Sequence, residues 1–276
     1  MHRLTVQPDP TRRKEFGEAR SVTRGRVVHD FVDRRTRYRI TAGSGGFARL
    51  CEQPEGGHTA SVPAVRLAPV TTSTTRVLVL RHGQSEWNAL GRWQGQADPP
   101  LTTLGRLQAR QAGHLLRTEC PNFDLVISSD LERAAVTGDL LAEEIGCGHR
   151  RSDARWREND AGEWQGLTRQ QINEGWPGWL DADKRPPNFE TVESTTGRTL
   201  QAFGDIVKFH PGGCILVVSH GGVIRLLRRH FTGKDHRFPN LGGSWFEHDG
   251  SQWLAGSLLF PLELIAEELR NTGAVE

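Results

Sequence analysis

The chain has 276 residues and a formal net charge of +2, enough length for one substantial domain plus an extension. It contains no run of roughly 18 or more apolar residues and no apolar stretch behind its early arginines, so we expect neither a membrane span nor a secretory signal. Its four cysteines lack the CxxC or CxxH spacing of a zinc site, which argues against a zinc module or disulfide framework and leads us to expect a cytoplasmic protein.

Residues 1–75 differ in composition from the rest of the chain. They contain 13 Lys and Arg against 7 Asp and Glu, and their apolar residues are sparse. Because low hydrophobicity with an excess of one charge favours disorder, we predict a basic, disordered N-terminal extension, with at most a weak strand or helix near 26–40. The arginines are not interleaved with aromatic residues and form no nucleic-acid-binding motif, so we do not expect a nucleic-acid partner.

Beyond residue 75, short apolar stretches alternate with segments of helical periodicity. Continuous apolar runs predict strands that are buried on both faces, at 77–80, 125–128 and 214–218, and two further strands are predicted near 243–248 and 252–258. The helical pattern predicts helices at 102–118, 131–145, 168–174, 194–209, 222–231 and 262–270. This alternation predicts an α/β fold over residues 76–270, a three-layer α/β/α sandwich with a mostly parallel central sheet.

Two of the predicted strands end in a similar and unusual way, in Arg81-His82-Gly83 and in Ser219-His220-Gly221-Gly222. An imidazole at the carboxyl end of a buried strand is a poor choice for packing, whereas open α/β sheets bind ligands at that edge. The ends of parallel strands face one crevice, so the two histidines are expected to lie together there. A third strand, predicted at 125–128, is followed by the helix that contains Arg133. Because Arg133 lies about one turn into this helix, its side chain is expected to reach the same crevice. These residues predict a phosphate-binding floor that contains a nucleophilic histidine.

Five motifs follow one another in an order known from one protein family. They are Arg81-His82-Gly83, Leu101-Thr102-x-x-Gly105, Ser128-Ser129-x-x-x-Arg133-Ala134, Glu158-x-x-x-Gly162-x-Trp164-x-Gly166 and Ser219-His220-Gly221-Gly222. In kind and order they resemble the motifs of the histidine phosphatase superfamily, branch 1, over about residues 76–250. Five motifs in the right order are specific, whereas a single Arg-His-Gly would not be. The resemblance implies a phosphoglycerate mutase-like fold and a catalytic domain at 76–270.

The resemblance also implies a phosphohistidine mechanism. His82 would attack phosphorus as the neutral imidazole, which is a large fraction of a histidine with the ordinary pKa of about 6.5. Arg81, Arg133 and His220 would stabilise charge on the equatorial phosphate oxygens. Glu158 matches the acid of the family, which protonates the leaving group and then activates water. Because the arginines balance the phosphate charge, we expect no metal ion and no other cofactor.

Further polar residues near these motifs are expected to contact the substrate. The predicted substrate-binding residues are Ser85, Asn88, Gln94, Gly95 and Gly221. In the pattern of the family, Asn88 contacts the phosphate. The loops at 89–100 and 175–192 are expected to set specificity. The expected partner is a small phosphorylated metabolite, whose identity the sequence does not determine. A homodimer is compatible with the sequence, which does not determine the oligomeric state.

Three alternatives compete with the expected function, a metal-independent phosphomonoester hydrolase. Two histidines and a glutamate can form a metal site, but two arginines in the same crevice would repel a divalent cation. A cofactor-dependent phosphoglycerate mutase uses the same floor, but mutases of the family have a longer insertion between the acid and the second histidine than this chain has between Glu158 and His220. A non-catalytic phosphate-binding protein is disfavoured, because a degenerate site usually loses some of these residues.

Overall fold

The structure, a computed structural model, describes residues 19–23, 26–33, 36–42, 48–53, 74–119 and 122–271. The chain divides into two units, Met1–Thr71 and Thr72–Glu276. The first unit contains one four-stranded sheet whose strands pair antiparallel in sequence order. Its strands are β1 (Ala19–Thr23), β2 (Arg26–Asp33), β3 (Thr36–Ala42) and β4 (Ala48–Gln53).

These four strands differ from the disorder predicted for residues 1–75. Average composition is a poor guide here, because short β-prone stretches such as 26–32 and 36–42 are diluted by the polar residues around them. The remainder of residues 1–73 lies outside the described residues. The predicted division of the chain into a basic extension (1–75) and a catalytic domain (76–270) stays a prediction.

The second unit alternates strands with helices. Its strands are β5 (Thr75–Arg81), β6 (Leu125–Ser128), β7 (Arg150–Ser152), β8 (Cys214–Ser219), β9 (Gly243–His248) and β10 (Trp253–Leu259). Its α-helices are α1 (Glu86–Ala89), α2 (Thr103–Glu119), α3 (Glu132–Ile145), α4 (Arg169–Gly175), α5 (Val192–Phe209), α6 (Gly221–Thr232) and α7 (Pro261–Asn271). Two 3-10 turns, Ala154–Trp156 and Gly162–Trp164, flank Glu158. The sequence did not predict α1, β7 or these turns, because elements of three or four residues are too short to show a periodicity.

The central sheet has the strand order β10-β9-β5-β8-β6-β7. The four strands β5, β8, β6 and β7 pair in parallel. At the other edge of the sheet, β9 pairs antiparallel with both β5 and β10. A short turn at Asp249–Gln252 joins β9 to β10, and such a hairpin requires antiparallel strands. The predicted α/β fold with a mostly parallel sheet is therefore confirmed.

The sheet separates two hydrophobic cores, and β5 contributes to both. Val77 and Val79 belong to the core on the side of α5 and α6, where Phe203 is also fully buried. Leu78 and Leu80 belong to the opposite core, on the side of α2 and α3. Alternating side chains of one strand thus fill both faces, which is why the strand reads as a continuous apolar run. The result is the predicted three-layer arrangement.

The Leu-Thr-x-x-Gly motif fixes helix α2 against the turn that follows β5. Thr102 Oγ1 accepts a hydrogen bond from the N–H of Gly105 at 2.9 Å, which is the bond that an N-cap residue makes at the start of a helix. A Cβ at Gly105 would overlap the backbone of Gln84, and one at Gly83 would overlap the backbone of Gly105. The two backbones can pack this closely only because both positions are glycine. The motif therefore positions the turn that carries His82.

Candidate active site

The parallel pairing of β5 with β8 brings the two histidines together. Arg81 pairs with Ser219 in the register of these strands, so His82 and His220 follow side by side. The N–H of His82 donates to the carbonyl of Ser219 at 3.0 Å. The two imidazole rings are buried, and their centroids lie 5.2 Å apart. The residues that the sequence predicted to share a crevice are adjacent, and the sheet itself sets their separation.

The backbone of Gly83 determines which nitrogen of His82 can react. His82 Nδ1 lies 2.7 Å from the carbonyl oxygen of Gly83. Since a carbonyl only accepts, Nδ1 carries the proton, and the lone pair of the neutral ring is on Nε2. Burial, with the positive charges of Arg133 and Arg81, holds the pKa of His82 well below its ordinary value, against the opposing effect of the Gly83 carbonyl. The ring is therefore neutral near pH 7, with Nε2 able to act as a nucleophile.

Thr137 on α3 anchors the turn that orients His82, and no sequence motif identifies it. Its Oγ1 accepts from the N–H of Gly83 at 3.0 Å and donates to the carbonyl of Arg133 at 2.7 Å. Thr137 is completely buried and lies one helical turn after Arg133. A threonine four residues after the predicted phosphate-binding arginine was the only sequence signal, and it is a weak one, because a threonine inside a helix commonly makes this bond.

Arg133 is fully buried at the start of α3, and the loop after α1 holds its guanidinium. Nη1 donates to the carbonyl of Ala97 at 2.6 Å, and Nη2 donates to the carbonyl of Gly95 at 2.8 Å. Asp98 lies 3.8 Å from Nη1. Burial lowers the pKa of Arg133 to about 10, so the group stays positively charged at neutral pH. Its Nε is buried and has no hydrogen bond within the described ranges, so it remains able to donate to a ligand.

Arg81 presents a second guanidinium at the end of β5. Its Nη1 donates to the carbonyl of Phe238 at 2.8 Å. Burial lowers the pKa of Arg81, and the nearby carboxylate of Glu158 opposes this shift. Its Nε is buried without a hydrogen bond to any described residue, as in Arg133. Each arginine is thus held by at least one backbone carbonyl and keeps at least its Nε donor for an anion.

His220 differs from His82 in its hydrogen bonds. Both of its ring nitrogens are buried, and neither has a partner in the part of the chain that the structure describes. Burial, followed by the charges of Arg133, His82 and Arg81, holds the pKa of His220 well below its ordinary value. A neutral imidazole offers one donor and one acceptor, so His220 can donate a hydrogen bond to an oxygen beside His82.

The carboxylate of Glu158 lies at the first turn of α6. Its Oε2 accepts from the N–H of Gly222 at 3.0 Å, and its Oε1 accepts from the N–H of Asn159 at 3.0 Å. A Cβ at Gly222 would overlap Oε1, so the second glycine of the Ser-His-Gly-Gly motif admits the acid. Each carboxylate oxygen keeps one lone pair for a proton. The carboxylate of Glu158 therefore lies at the N-terminus of α6, the helix that directly follows His220 in the chain.

Arg198 on α5 clamps the segment that carries Glu158, and no motif identified it. Its guanidinium pairs with the carboxylate of Glu190 through Nε at 2.8 Å and Nη2 at 2.9 Å. The same group donates to the carbonyls of Arg155, at 2.6 Å, and of Glu158, at 3.2 Å. The ion pair is largely buried, with 18% and 14% of the side chains exposed. The position of the acid thus depends on a side chain that is distant in sequence.

The predicted substrate-binding residues fall into two groups, and the first contains Ser85, Asn88 and Gln94. Its buried Oγ accepts from the N–H of Asn88 at 3.2 Å and donates to Gln94 Oε1 at 2.7 Å. The single hydroxyl proton is therefore used inside the protein, and direct contact of Ser85 with a substrate stays a prediction. The amide oxygen of Gln94 accepts from the hydroxyl of Ser85, and the amide oxygen of Asn88 accepts from the backbone N–H of Ser85. Both side chains therefore keep their amide nitrogens for a ligand.

Two glycines of the predicted set lie against the arginines. The carbonyl of Gly95 accepts from Arg133, so Gly95 contributes to holding the cation. Gly221 begins α6, and a Cβ there would lie 3.4 Å from Cδ of Arg81. Both positions border the floor formed by the arginines and the histidines. Direct contact of either glycine with a substrate stays a prediction.

The two loops predicted to set specificity meet in an aromatic cluster. Trp93, from the loop after α1, lies edge-on to Trp164 at 5.2 Å and to Phe189 at 6.4 Å. The guanidinium of Arg185 lies 5.7 Å from the Trp164 ring and 5.5 Å from the Phe189 ring. Such contacts are typical of cation–π packing. The loops are therefore joined to each other beside the acid-bearing segment.

Comparison with known proteins identifies the family. The model of the histidine phosphatase superfamily (branch 1) matches residues 77–255. This chain belongs to the histidine phosphatase superfamily. The match covers β6, β7, β8 and β9 in full, parts of β5 and β10, and both histidines, and the predicted resemblance is thereby confirmed.

Relatives include both phosphatases and mutases. The glucosyl-3-phosphoglycerate phosphatase of Mycobacterium tuberculosis is 36% identical over 200 residues, covering 66% of this chain and 88% of the relative. The 2,3-bisphosphoglycerate-dependent phosphoglycerate mutase of Methylorubrum extorquens is 36% identical over 163 residues, covering 55% of this chain and 77% of the relative. A solved structure of the mycobacterial glucosyl-3-phosphoglycerate phosphatase with VO3 has a TM-score of 0.60 and 30% identity, covering 66% and 96% of the two chains.

These comparisons confirm the predicted fold as phosphoglycerate mutase-like, and they support the predicted class of enzyme, a phosphatase acting on phosphomonoesters. Among the helices that the structure describes, none is both long and apolar enough to span a membrane.

Proposed function

We propose that this chain hydrolyses a phosphomonoester through a phosphohistidine formed on Nε2 of His82. The observation that carries the proposal is the tautomer of His82: the Gly83 carbonyl holds the proton on Nδ1, so the nucleophilic lone pair is on Nε2 beside His220. The two buried arginines, each with a free Nε donor, supply the positive charge that a phosphoryl group needs.

The reaction has two half-reactions. In the first, Nε2 of His82 forms a bond to phosphorus while the ester oxygen leaves on the opposite side and takes a proton from Glu158. The two arginines and His220 donate to the equatorial oxygens, which carry most of the charge in the transition state. In the second, water attacks phosphorus, Glu158 accepts a proton from this water, and the P–N bond breaks. Phosphate leaves, and His82 and Glu158 return to their starting forms.

The site requires no metal ion for this scheme. Two guanidinium groups already balance the charge of the phosphate dianion, and both are held by backbone carbonyls rather than by carboxylates alone. The expected substrate is a small phosphorylated metabolite. A sugar-linked phosphoglycerate is the first substrate to test, because the glucosyl-3-phosphoglycerate phosphatase of Mycobacterium tuberculosis resembles this chain over 88% of its own length.

A phosphoglycerate mutase is the second candidate function. It is supported by the 36% identity of this chain to the phosphoglycerate mutase of Methylorubrum extorquens. A mutase protects its phosphohistidine from water and returns the phosphoryl group to the sugar acid, whereas a phosphatase lets water reach it. Hydrolysis and isomerisation of 3-phosphoglycerate therefore separate the two candidates. The predicted cytoplasmic location and homodimer bear on neither test and stay predictions.

The decisive experiment measures phosphate release over a panel of phosphorylated metabolites, with acid quenching of the enzyme after mixing with ³²P-labelled substrate. We expect release of free phosphate, a trapped phosphoenzyme in the wild type, and loss of both in His82→Ala. The exposed His114 provides the control, since His114→Ala should leave both unchanged. Phosphate release by His82→Ala at the wild-type rate would overturn the assignment of the nucleophile, and isomerisation without release would favour the mutase.

A further inference from the structure

Asn240, in the segment between α6 and β9, contacts two parts of the candidate active site at once. Its Nδ2 donates to the carbonyl of His82 at 2.9 Å and to Oδ1 of Asn88 at 3.1 Å. One amide group therefore joins the backbone of the nucleophile to the side chain expected to bind phosphate. Neither the motifs nor the spacing of the sequence singled out Asn240.

These contacts settle the orientation of the Asn88 amide. The N–H of Ser85 also donates to Oδ1 of Asn88, at 3.3 Å. Because both neighbours are donors, the atom between them must be the amide oxygen, and Nδ2 of Asn88 faces away from them. This nitrogen has no hydrogen bond to another residue in the described part of the chain. The amide thus presents its donor end to a ligand.

The backbone around Asn240 is held by the end of β5. The N–H of Leu241 donates to the carbonyl of Arg81 at 3.0 Å, and the N–H of Arg81 donates to the carbonyl of Gly242 at 2.9 Å. Leu241 is completely buried and has a φ of 59°, a left-handed conformation that is uncommon for leucine. The strand pairing therefore imposes this conformation and keeps Asn240 beside the turn after β5.

We propose that Asn240 is a positioning residue that orients the amide of Asn88, so that its Nδ2 donates to the substrate phosphate next to His82. The proposal rests on the proposed phosphatase function. Without the donor of Asn240, the Asn88 amide loses one of the two bonds that fix it and can rotate its oxygen toward the phosphate. An oxygen facing an anion repels it, whereas an N–H attracts it.

A double-mutant cycle tests whether Asn240 acts through Asn88. The readouts are the inhibition constant of inorganic phosphate and the separate kcat and KM for p-nitrophenyl phosphate, measured for Asn240→Ala, Asn88→Ala and the double variant. We expect each single variant to bind phosphate about tenfold more weakly, the loss typical of one hydrogen bond to a charged group. The double variant should bind no more weakly than Asn88→Ala, because both changes remove the same contact.

Asn240→Asp gives a second test that keeps the shape of the side chain. A carboxylate would accept from the Asn88 amide instead of donating to it, so Asn88 should turn its oxygen toward the phosphate. We expect weaker phosphate binding than in Asn240→Ala, and most of this difference should disappear when Asn88→Ala is combined with it. Asn173→Ala, an exposed asparagine on α4, is the matched control and should change nothing.

Multiplicative losses in the double variant, or phosphate affinity unchanged in both Asn240 variants, would overturn the positioning role. Thermal unfolding of each variant shows whether a loss of affinity comes with a loss of folding, and Asn240→Asp serves if Asn240→Ala does not fold. A wild-type chain that neither binds inorganic phosphate nor releases it from any substrate would instead overturn the proposed function. The two failures are therefore distinguishable.

Discussion

The candidate active site combines two regions that are held in place by different means. The floor is formed by Arg81, His82, His220 and Arg133. The first three follow directly from the ends of β5 and β8, whose parallel pairing sets their geometry, and Arg133 lies at the start of α3. The acid-bearing segment around Glu158 belongs to no strand. Its place depends on a backbone N–H of α6 and on the guanidinium of Arg198. The sheet therefore fixes where phosphorus binds, while separate contacts fix where the leaving group meets its acid.

The largest effect that separates the two regions is expected from Glu158→Gln. The amide can still accept from the N–H of Gly222 but cannot supply a proton, so kcat should fall by about 10²- to 10⁴-fold. The loss should be greatest for esters with poor leaving groups, and the affinity for inorganic phosphate should change little. A plot of log kcat against the pKa of the leaving group measures this.

Glu163→Gln, which alters an exposed carboxylate five residues away, is the control for that series and should leave the plot unchanged. An equal loss of kcat for good and poor leaving groups would contradict the assignment of Glu158 as the acid.

Arg133→Lys should damage the floor and leave the acid in place. An ammonium cannot bond the carbonyls of Gly95 and Ala97 and also offer a donor to phosphate, as the guanidinium can. We expect phosphate affinity and kcat/KM to fall by about 10²-fold, the effect of losing one or two charged hydrogen bonds. Titration with inorganic phosphate measures the affinity, and Arg106→Lys on the exposed side of α2 is the control. Wild-type affinity in Arg133→Lys would show that charge alone suffices.

Arg198→Lys should have the opposite effect to Arg133→Lys: it should disturb the acid-bearing segment and leave the floor intact. The shorter-reaching ammonium should lose contact with some of the Glu190 carboxylate and the carbonyls of Arg155 and Glu158, which loosens the acid. We expect kcat to fall by about tenfold, while the affinity for inorganic phosphate stays unchanged, because the floor makes no use of this clamp. Glu190→Gln should act in the same direction. An equal fall in phosphate affinity would mean that the two regions are not separately held.

The smallest effect concerns stability at low pH and tests the floor alone. The pKa values of His82 and His220 are lowered in the folded state, so below about pH 6.5 the unfolded chain binds protons that the folded chain does not. The free energy of unfolding should therefore fall as the pH drops, by up to about 1.4 kcal/mol per pH unit for each histidine. His220→Gln should lose about 1 kcal/mol less than the wild type between about pH 6.5 and 5.5 in urea unfolding. His114→Gln, at an exposed position, should behave as the wild type does, and an unchanged slope in His220→Gln would contradict the neutral, buried pair.

The floor was predictable from sequence because the signals that mark its residues are local, although the strands that bring these residues together pair over a long range. An apolar run ending in His-Gly marks a buried strand and its ligand-binding end, and two such endings predict that His82 and His220 meet. The same reasoning found Arg133, which lies a fixed distance from the end of β6. The parallel core of the sheet and the helices around it followed from periodicity in the same way.

The supports of the site were not predictable, because they depend on contacts between distant segments. Nothing near Arg198 in the sequence shows that its guanidinium reaches the carbonyl of Glu158, and nothing near Asn240 shows that it meets Asn88. The hydrogen bond from Ser85 to Gln94 was unpredictable for the same reason, since only the structure shows where the hydroxyl proton of Ser85 points. The residue types in the sequence indicated the kind of reaction. Which group each hydrogen-bond donor contacts depends on the tertiary structure.

The register between β5 and β8 links activity to the order in which the chain folds. The strand that carries His82 and the strand that carries His220 are separated by more than half of the domain in sequence, so no early fragment of the polypeptide holds both imidazoles. Long-range pairing of this kind forms slowly compared with local helices. Recovery of enzymatic turnover during refolding should accordingly lag behind recovery of helical circular dichroism, which makes catalysis a reporter for the last, non-local step of assembly.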